Sequence, residues 1–347
     1  MKYNYLLITA CLIYVFTACK PEFNLNAPYK DVPVVYGILD YQAPIQYVKI
    51  YKGFQSNGNL YLDAQNKDSI YYYDDIRVVL QEYENEKRTS RPDIELKYTH
   101  DFPRDSGMFY YGDERIIYYT TERLYPDKKY KIEIKNLKNG NVITGSTAIV
   151  GELNIEKPDL GTALNLTTKN LSITFNEAKN AFKEGYEFHV TFKYFEVERA
   201  TNRVIDSGKI VKRVGGAGIT PSYHNGYWKL EYIPTFYDEL AGALKTDSRI
   251  IRYPGTPTSG HCIYIEGCAA SEDLVNFILS NKPTSGFVQI NKIYTNLTAK
   301  DTLVFGFLSS RSKTMRSFTI SEASVDSLVT GSKTRHLGFR PRYEYNP

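Results

Sequence analysis

Methionine and tryptophan are scarce in these 347 residues, three and one respectively, and only four cysteines and five histidines occur. Two of the cysteines, Cys11 and Cys19, sit at the N-terminus, so the body of the chain holds only Cys262 and Cys268, too few for a disulfide-built scaffold. The histidines, His100, His189, His224, His261 and His336, share no ligand spacing, and there is no C-x-x-C knuckle, so neither a metal nor a cofactor is expected. No G-x-S-x-G elbow, H-E-x-x-H pair, Walker loop or dinucleotide glycine motif is present, and no catalytic residue is nominated. Charge of one sign is also missing. The 43 basic and 39 acidic side chains leave a formal net charge of +4 with no block of either sign, which excludes the electrostatic footprint of a nucleic-acid binder.

What is present begins at the N-terminus. Lys2 is followed by an apolar stretch, Tyr5 to Phe16, and by Phe16-Thr17-Ala18-Cys19. This is the pattern of a lipoprotein signal peptide over residues 1–18, cleaved so that Cys19 becomes the first residue and the lipid anchor. The apolar stretch falls short of the roughly 20 residues needed to cross a bilayer. Acyl chains on Cys19 would instead hold the mature chain to the membrane. An ordinary secretory signal or an uncleaved anchor helix is the alternative. Residues 19–32, polar and proline-bearing, read as a tether.

Tyrosine is the conspicuous excess, at 31 residues, and it suits pleated, half-buried surfaces. The chain is therefore expected to be mainly β. Residues 33–150 read as an immunoglobulin-like β-sandwich of short strands. Pro33 to Asp40 and Gln46 to Phe54 form one hairpin, Asp75 to Tyr83 and Arg115 to Thr121 are strands, and Lys129 to Lys135 turns at Asn139-Gly140 into Val142 to Val150. Residues 151–347 read as a second β-rich domain with two short helices. After a linker-like Glu152 to Gly161, Tyr186, Phe188, Val190, Phe192 and Tyr194 alternate with polar residues, which turns His189 outward. Arg203 to Val214 is its expected hairpin partner. Helices are expected between Pro234 and Thr246 and after Ser271, whose hydroxyl can cap the first turn. Thr302 to Leu308 is strand-like, and a basic, aromatic tail runs from Arg335 to Tyr345.

The lipobox, then PVVYGILD with QYVKIYKGF, then LYPDKKYKIEIKNLKNGNVITGSTAIV, and later PTFYDELAGAL, EDLVNFILSN and IYTNLTAKDTLVFGFLSSRS, together resemble the Bacteroidota lipoproteins grouped as domain of unknown function 4249. The resemblance spans most of the mature chain. It implies an outer-membrane lipoprotein, mainly β and without established enzymatic activity, of a kind found beside TonB-dependent transporters. It carries over no functional residue except the lipidated Cys19. Acidic residues just after the cysteine favour surface export in related lipoproteins. Lys20-Pro21-Glu22 supplies one, so the face of the outer membrane stays open.

Among the remaining candidates, Cys262 and Cys268 can bridge in an oxidising compartment or remain free, buried thiols. Ser310-Arg311-Ser312-Lys313 matches S-x-x-K but is expected to be a polar loop. Gly215-Gly216-Ala217-Gly218 could cradle an anion or simply connect strands. The aromatic clusters are the stronger lead: Tyr71 to Tyr73, Tyr110-Tyr111, Tyr118-Tyr119, and above all Tyr223, Tyr227 and Trp228. One ring of each adjacent strand pair should face outward, where it can meet a protein or a sugar or pack on its cross-strand neighbour. Three functions follow. The first is a membrane-anchored accessory module for a partner such as a TonB-dependent β-barrel transporter. The second is glycan or peptide binding around Trp228. The third is a hydrolase, which would need converging carboxylates or a serine beside a histidine.

Overall fold

The computed structural model describes residues 30–53, 67–100, 116–167, 171–225, 227–232, 235–282 and 294–346; Cys19 and residues 1–18, the expected signal peptide, lie outside them. The chain is mainly β, as expected, with four short helices among the described residues.

The first strands follow the period-two alternation of the sequence. They are β1 (Val32–Leu39), β2 (Gln46–Gly53), β3 (Ile76–Glu84), β4 (Lys87–Arg88), β5 (Ile94–Thr99), β6 (Ile117–Thr120), β7 (Lys129–Asn136) and β8 (Val142–Ala148), with a one-turn helix α1 (Lys67–Ile70) before β3. The β1–β2 and β7–β8 hairpins form as expected, the latter turning with Gly140 at a positive φ of 76°. Then come β9 (Ile155–Lys157), β10 (Leu171–Phe175), β11 (Tyr186–Glu198), β12 (Val204–Gly215), β13 (Ser222–His224) and β14 (Tyr227–Tyr232). Helix α2 (Phe236–Ala243), β15 (Ile250–Pro254), β16 (Ile263–Ala270), helix α3 (Glu272–Ser280), β17 (Leu297–Ala299), β18 (Phe305–Phe318) and helix α4 (Glu322–Thr330) complete the chain.

Among the described residues, fourteen strands form one mixed sheet along the path β12-β11-β16-β18-β1-β2-β6-β5-β3-β7-β8-β17, with β15 on β11 and β4 on β3. Strand β18 joins its two halves. Residues 305–310 pair parallel with β1, and residues 311–318 pair antiparallel with β16. Gly306, at φ 92°, lets the backbone pass where a Cβ would lie 1.8 Å from the Val35 carbonyl oxygen. The N-terminal half rolls round a core of Val35, Val48, Ile50, Leu80, Ile132 and Ile134, which also takes in Leu297, Val304 and Leu308 from the C-terminal region. Residues 33–150 thus share their core with residues near 300. Ser310 fastens the roll: its hydroxyl donates to the Ala148 carbonyl oxygen (2.6 Å) and accepts from the Val150 amide (3.1 Å).

A second sheet, β13-β14-β10-β9, lies over β11 and β16 to make a sandwich-like layer pair. Phe175 fills the space between, its ring 4.7 Å from Tyr186 and 5.0 Å from Phe188. The linker-like segment at 152–161 contributes β9 and the fully buried Ile155 to this sheet. Helices α2 and α3 fall where expected, burying Phe236 and Leu240, and Leu274 and Val275. Ser271 stands at the N-cap of α3, but its hydroxyl bonds Ser309 Oγ (2.6 Å) rather than a first-turn amide. Helix α4 was not expected; Ser321 caps it, accepting from the Ser324 amide, and Leu328 anchors it in the core.

The tail is docked rather than free. Arg252 of β15 donates from Nε to Glu196 of β11 (2.8 Å) and from Nη1 to the Leu337 carbonyl oxygen (2.6 Å). Backbone bonds from the Arg252 amide to Gly338 and from the Arg340 amide to Arg252 add a short strand-like clasp. The Tyr345 ring closes on Phe195 at 4.8 Å and Tyr253 at 5.3 Å.

Candidate functional site

Tyr223, Tyr227 and Trp228 all lie on the β13–β14 hairpin, but not on one face. Tyr223 stands opposite Trp228, ring centroids 5.0 Å apart and tilted by 60°, and Trp228 in turn stands opposite the buried Phe175. Those two therefore share the core-facing side. Tyr227, next to Trp228, points the other way because strand neighbours alternate faces. Trp228 is half-buried against the core and its Nε1 finds no acceptor among the described residues, while Tyr223 and Tyr227 are exposed. The sequence-derived trio is thus two surfaces, a Tyr223–Trp228 edge and a separate Tyr227.

Beside this hairpin the large sheet ends at β12, a twelve-residue edge strand. Its alternation with β11 places Val190, Phe192 and Phe188 opposite Lys212, Ile210 and Val214 on the core side, and His189, Thr191 and Lys193 opposite Arg213, Val211 and Lys209 outside. Residues 204–207 are exposed in succession, and Val204, Ile205 and Val211 are large apolar side chains left in solvent. Lys212 is bonded to Glu239 of α2, and Arg213 to Glu187, which also holds His189 Nε2 at 2.7 Å. His189 is thus outward-facing, as its strand parity requires.

The sequence-level chemical candidates separate in space. Cys262 and Cys268 are free thiols. They lie at the two ends of one extended segment, so six residues hold them about 20 Å apart, far beyond the roughly 7 Å that a disulfide tolerates. Of the two alternatives the bridge is therefore excluded, and both thiols are free, Cys262 buried and Cys268 partly buried. Burial pushes the Cys262 thiol up to about 12 and raises that of Cys268, the latter partly offset by Arg311 and Lys313. Ser310 and Lys313 belong to strand β18, not to a loop. A spacing of three along a strand puts them on opposite faces, Ser310 fully buried and Lys313 exposed, so they cannot act as nucleophile and base. The Gly216 amide donates to the Tyr186 carbonyl oxygen (2.8 Å), so it is not free to bind an anion. A serine and a histidine do meet: His261 Nδ1 is 2.7 Å from Ser317 Oγ. They meet on an exposed sheet face, where no carboxylate among the described residues holds the other ring nitrogen. No metal-sized group of ligands occurs among the described residues.

The tyrosine run at 71–73 departs from the alternation expected of it. Tyr71 and Tyr72 are both buried, because they follow α1 and enter a 3-10 turn, Tyr73–Asp75, instead of a strand. Tyr73 holds φ at 48°, a conformation that bulky residues avoid. Tyr110 and Tyr111 lie outside the described residues. The turn borders a cleft that the sequence did not suggest. Residues 94–96 of β5 pair with β3, whereas residues 97–99 pair with β6, so β5 swings away from β3 and leaves a gap. This open cleft of about 400 Å³ is floored by Ile76, Val78, Leu96 and Tyr118 and rimmed by Tyr73, Asp74, Arg77, Glu95, Lys97, Tyr98 and Leu137. The Tyr118 hydroxyl donates to the Tyr73 carbonyl oxygen (2.9 Å) and Tyr98 to Asp74 Oδ2 (3.2 Å), which fix the turn against the strands. Burial and the Asp74 carboxylate raise the Tyr98 hydroxyl above its ordinary value, so it remains a donor at neutral pH.

No protein-family model matches this chain, and a search of curated proteins found no match either.

Proposed function

We propose that the chain is a membrane-anchored lipoprotein that acts without catalysis, holding or covering a protein partner through its free sheet edge. The observation that carries this reading is β12: twelve residues at the end of a fourteen-stranded sheet, with Val204, Ile205 and Val211 exposed. An unpaired strand edge is a template for strand addition, and proteins that have no use for one blunt it with charge, bulges or proline. Two cations of the outer face are paired within the sheet, Arg213 with Glu187 and Lys313 with Glu266, and Val204, Ile205 and Val211 stand on the edge strand beside the exposed charges of Asp206 and Lys209. The adjoining Tyr223–Trp228 edge adds rings suited to a protein interface. Attachment through acylated Cys19 at the outer membrane, and a TonB-dependent β-barrel transporter as the partner, are what the resemblance to domain of unknown function 4249 brings to this proposal.

The test is recovery of the tagged, lipidated protein from its own membranes in detergent, followed by mass spectrometry. A stoichiometric β-barrel transporter with the wild type, lost with Val211→Lys or Ile205→Lys, supports the edge, and its loss with Cys19→Ala supports the anchor. Recovery of the acylated protein alone sinks the reading.

A further inference from the structure

We infer that the cleft between β3 and β5 binds a short neutral saccharide, with Tyr98 and Leu137 as its apolar face and Asp74, Arg77, Glu95 and Lys97 as its hydrogen-bonding rim. It involves none of the residues of the β12 edge, so the failure of either reading leaves the other standing.

Size and shape come first. At about 400 Å³ and open to solvent, the cleft lies within the range of small-ligand sites. It is built into the sheet, since it exists only because β5 changes partner between Leu96 and Lys97. Its wall is held by paired hydroxyls and by rings that meet Tyr98 edge to face, Tyr73 at 6.3 Å, Tyr118 at 6.1 Å and His100 at 5.6 Å. Such contacts fix the plane of a half-exposed ring before any ligand arrives, which lowers the ordering cost of binding. The left-handed backbone at Tyr73 points the same way. A strained aromatic residue persists where the surrounding structure over-determines it, as at ligand clamps.

The rim then selects the ligand class. Two carboxylates and two cations line the opening, and Arg77 Nε already lies 3.3 Å from Glu95 Oε1. A ligand with net charge would be attracted by one pair and repelled by the other. Hydroxyl groups, which donate and accept, can use both. The remaining rim is apolar: Leu137 is 57% exposed although it sits on a polar turn, and the Tyr98 ring is half-exposed. A sugar ring offers that combination, hydroxyls around its edge and a face of C–H groups for an aromatic ring.

The full-length protein in detergent would be titrated calorimetrically with neutral gluco-, xylo- and manno-oligosaccharides, and in parallel with an oligogalacturonate and a sulfated disaccharide. At least one neutral series should bind with one-to-one stoichiometry. Tyr98→Ala and Arg77→Ala, both at positions in contact with solvent, should each weaken it about tenfold or more, a loss of about 1.4 kcal/mol. Tyr98→Phe, which keeps the ring, should lose less than Tyr98→Ala, and the remote Lys333→Ala should bind as the wild type does. Absence of binding by every neutral series at millimolar concentration overturns the inference. So does tighter binding of either anionic sugar, or an unchanged affinity in both Tyr98→Ala and Arg77→Ala.

Discussion

Replacing Arg252 by methionine should cost about 3–5 kcal/mol of stability and release the C-terminal tail. The side chain is 5% exposed and its partner Glu196 14%, so both charges sit within the protein, facing each other across the β11–β15 pair. The guanidinium satisfies two acceptors, the Glu196 carboxylate at 2.8 Å and the Leu337 carbonyl at 2.6 Å. Methionine retains most of the apolar stem but leaves a carboxylate without its counter-ion and a carbonyl without a donor. A broken hydrogen bond to a charged group is worth about 1.5–3 kcal/mol, and an unsatisfied buried acceptor costs about 1–3; their sum overlaps the 3–5 found when one member of a buried pair is removed. Thermal unfolding followed by circular dichroism should therefore show a fall of roughly 5–10 °C. Trypsin should cut at Arg335 or Arg342 at concentrations that spare the wild type. Changing Glu196 to methionine as well should restore much of the loss, since two apolar side chains can replace a buried ion pair. A loss below about 1 kcal/mol in Arg252→Met, with the tail still protected, would refute the assignment of the pair as the clasp.

Glu82 gives a pH-dependent counterpart. Burial raises its carboxyl, but hydrogen bonds from Tyr130, Arg91 and Thr89 outweigh this and hold it below the ordinary carboxylate value. The stability it contributes is present above the unfolded value near 4.3 and is lost as pH falls through the lower folded value, so Glu82→Gln should cost about 1–3 kcal/mol at neutral pH and flatten the acid limb of the stability curve. Gly306→Ala should destabilise by about 3 kcal/mol or more, because its Cβ has no room beneath Val35, and the yield of folded protein is the readout. Cys262 should resist alkylation in the native state at pH 8 and react on unfolding, and a reductant should leave the melting temperature unchanged; a shift of one disulfide in the intact mass would contradict the strand geometry.

Local features were legible wherever a period or a turn residue announced them. The alternation from Tyr186 to Tyr194, the Asn139-Gly140 turn and the apolar spacing of α2 and α3 each report on residues a few positions apart. Helix α4 escaped because serine, threonine and valine favour it weakly; buried Leu328 and Ser324 hold it by tertiary contact. The polar stretch Ser309 to Ser317 hides a strand for a related reason, since the buried hydroxyls of Ser309, Ser310 and Ser312 find their partners in remote segments. The cleft was illegible altogether. It arises from one strand changing neighbours, and nothing in the sequence of β5 records which strand lies on either side. Tyr223, Tyr227 and Trp228 read as one surface in the sequence, whereas strand parity groups Tyr223 with Trp228 and turns Tyr227 to the other face.

The parallel pairing of β1 with β18 joins residues as far apart as Val34 and Phe305. If the chain is exported N-terminus first, β1 emerges long before the strand that lies beside it. Until some 270 residues later, one flank of β1 and the core beneath Leu308 stay open, and the β11–β16 half has no attachment to the first. Such non-local closure is slow and leaves edges exposed to aggregation. The chain therefore depends on being kept apart from its neighbours while it is incomplete, and a truncation before β18 would remove the seam between both halves rather than trim one end.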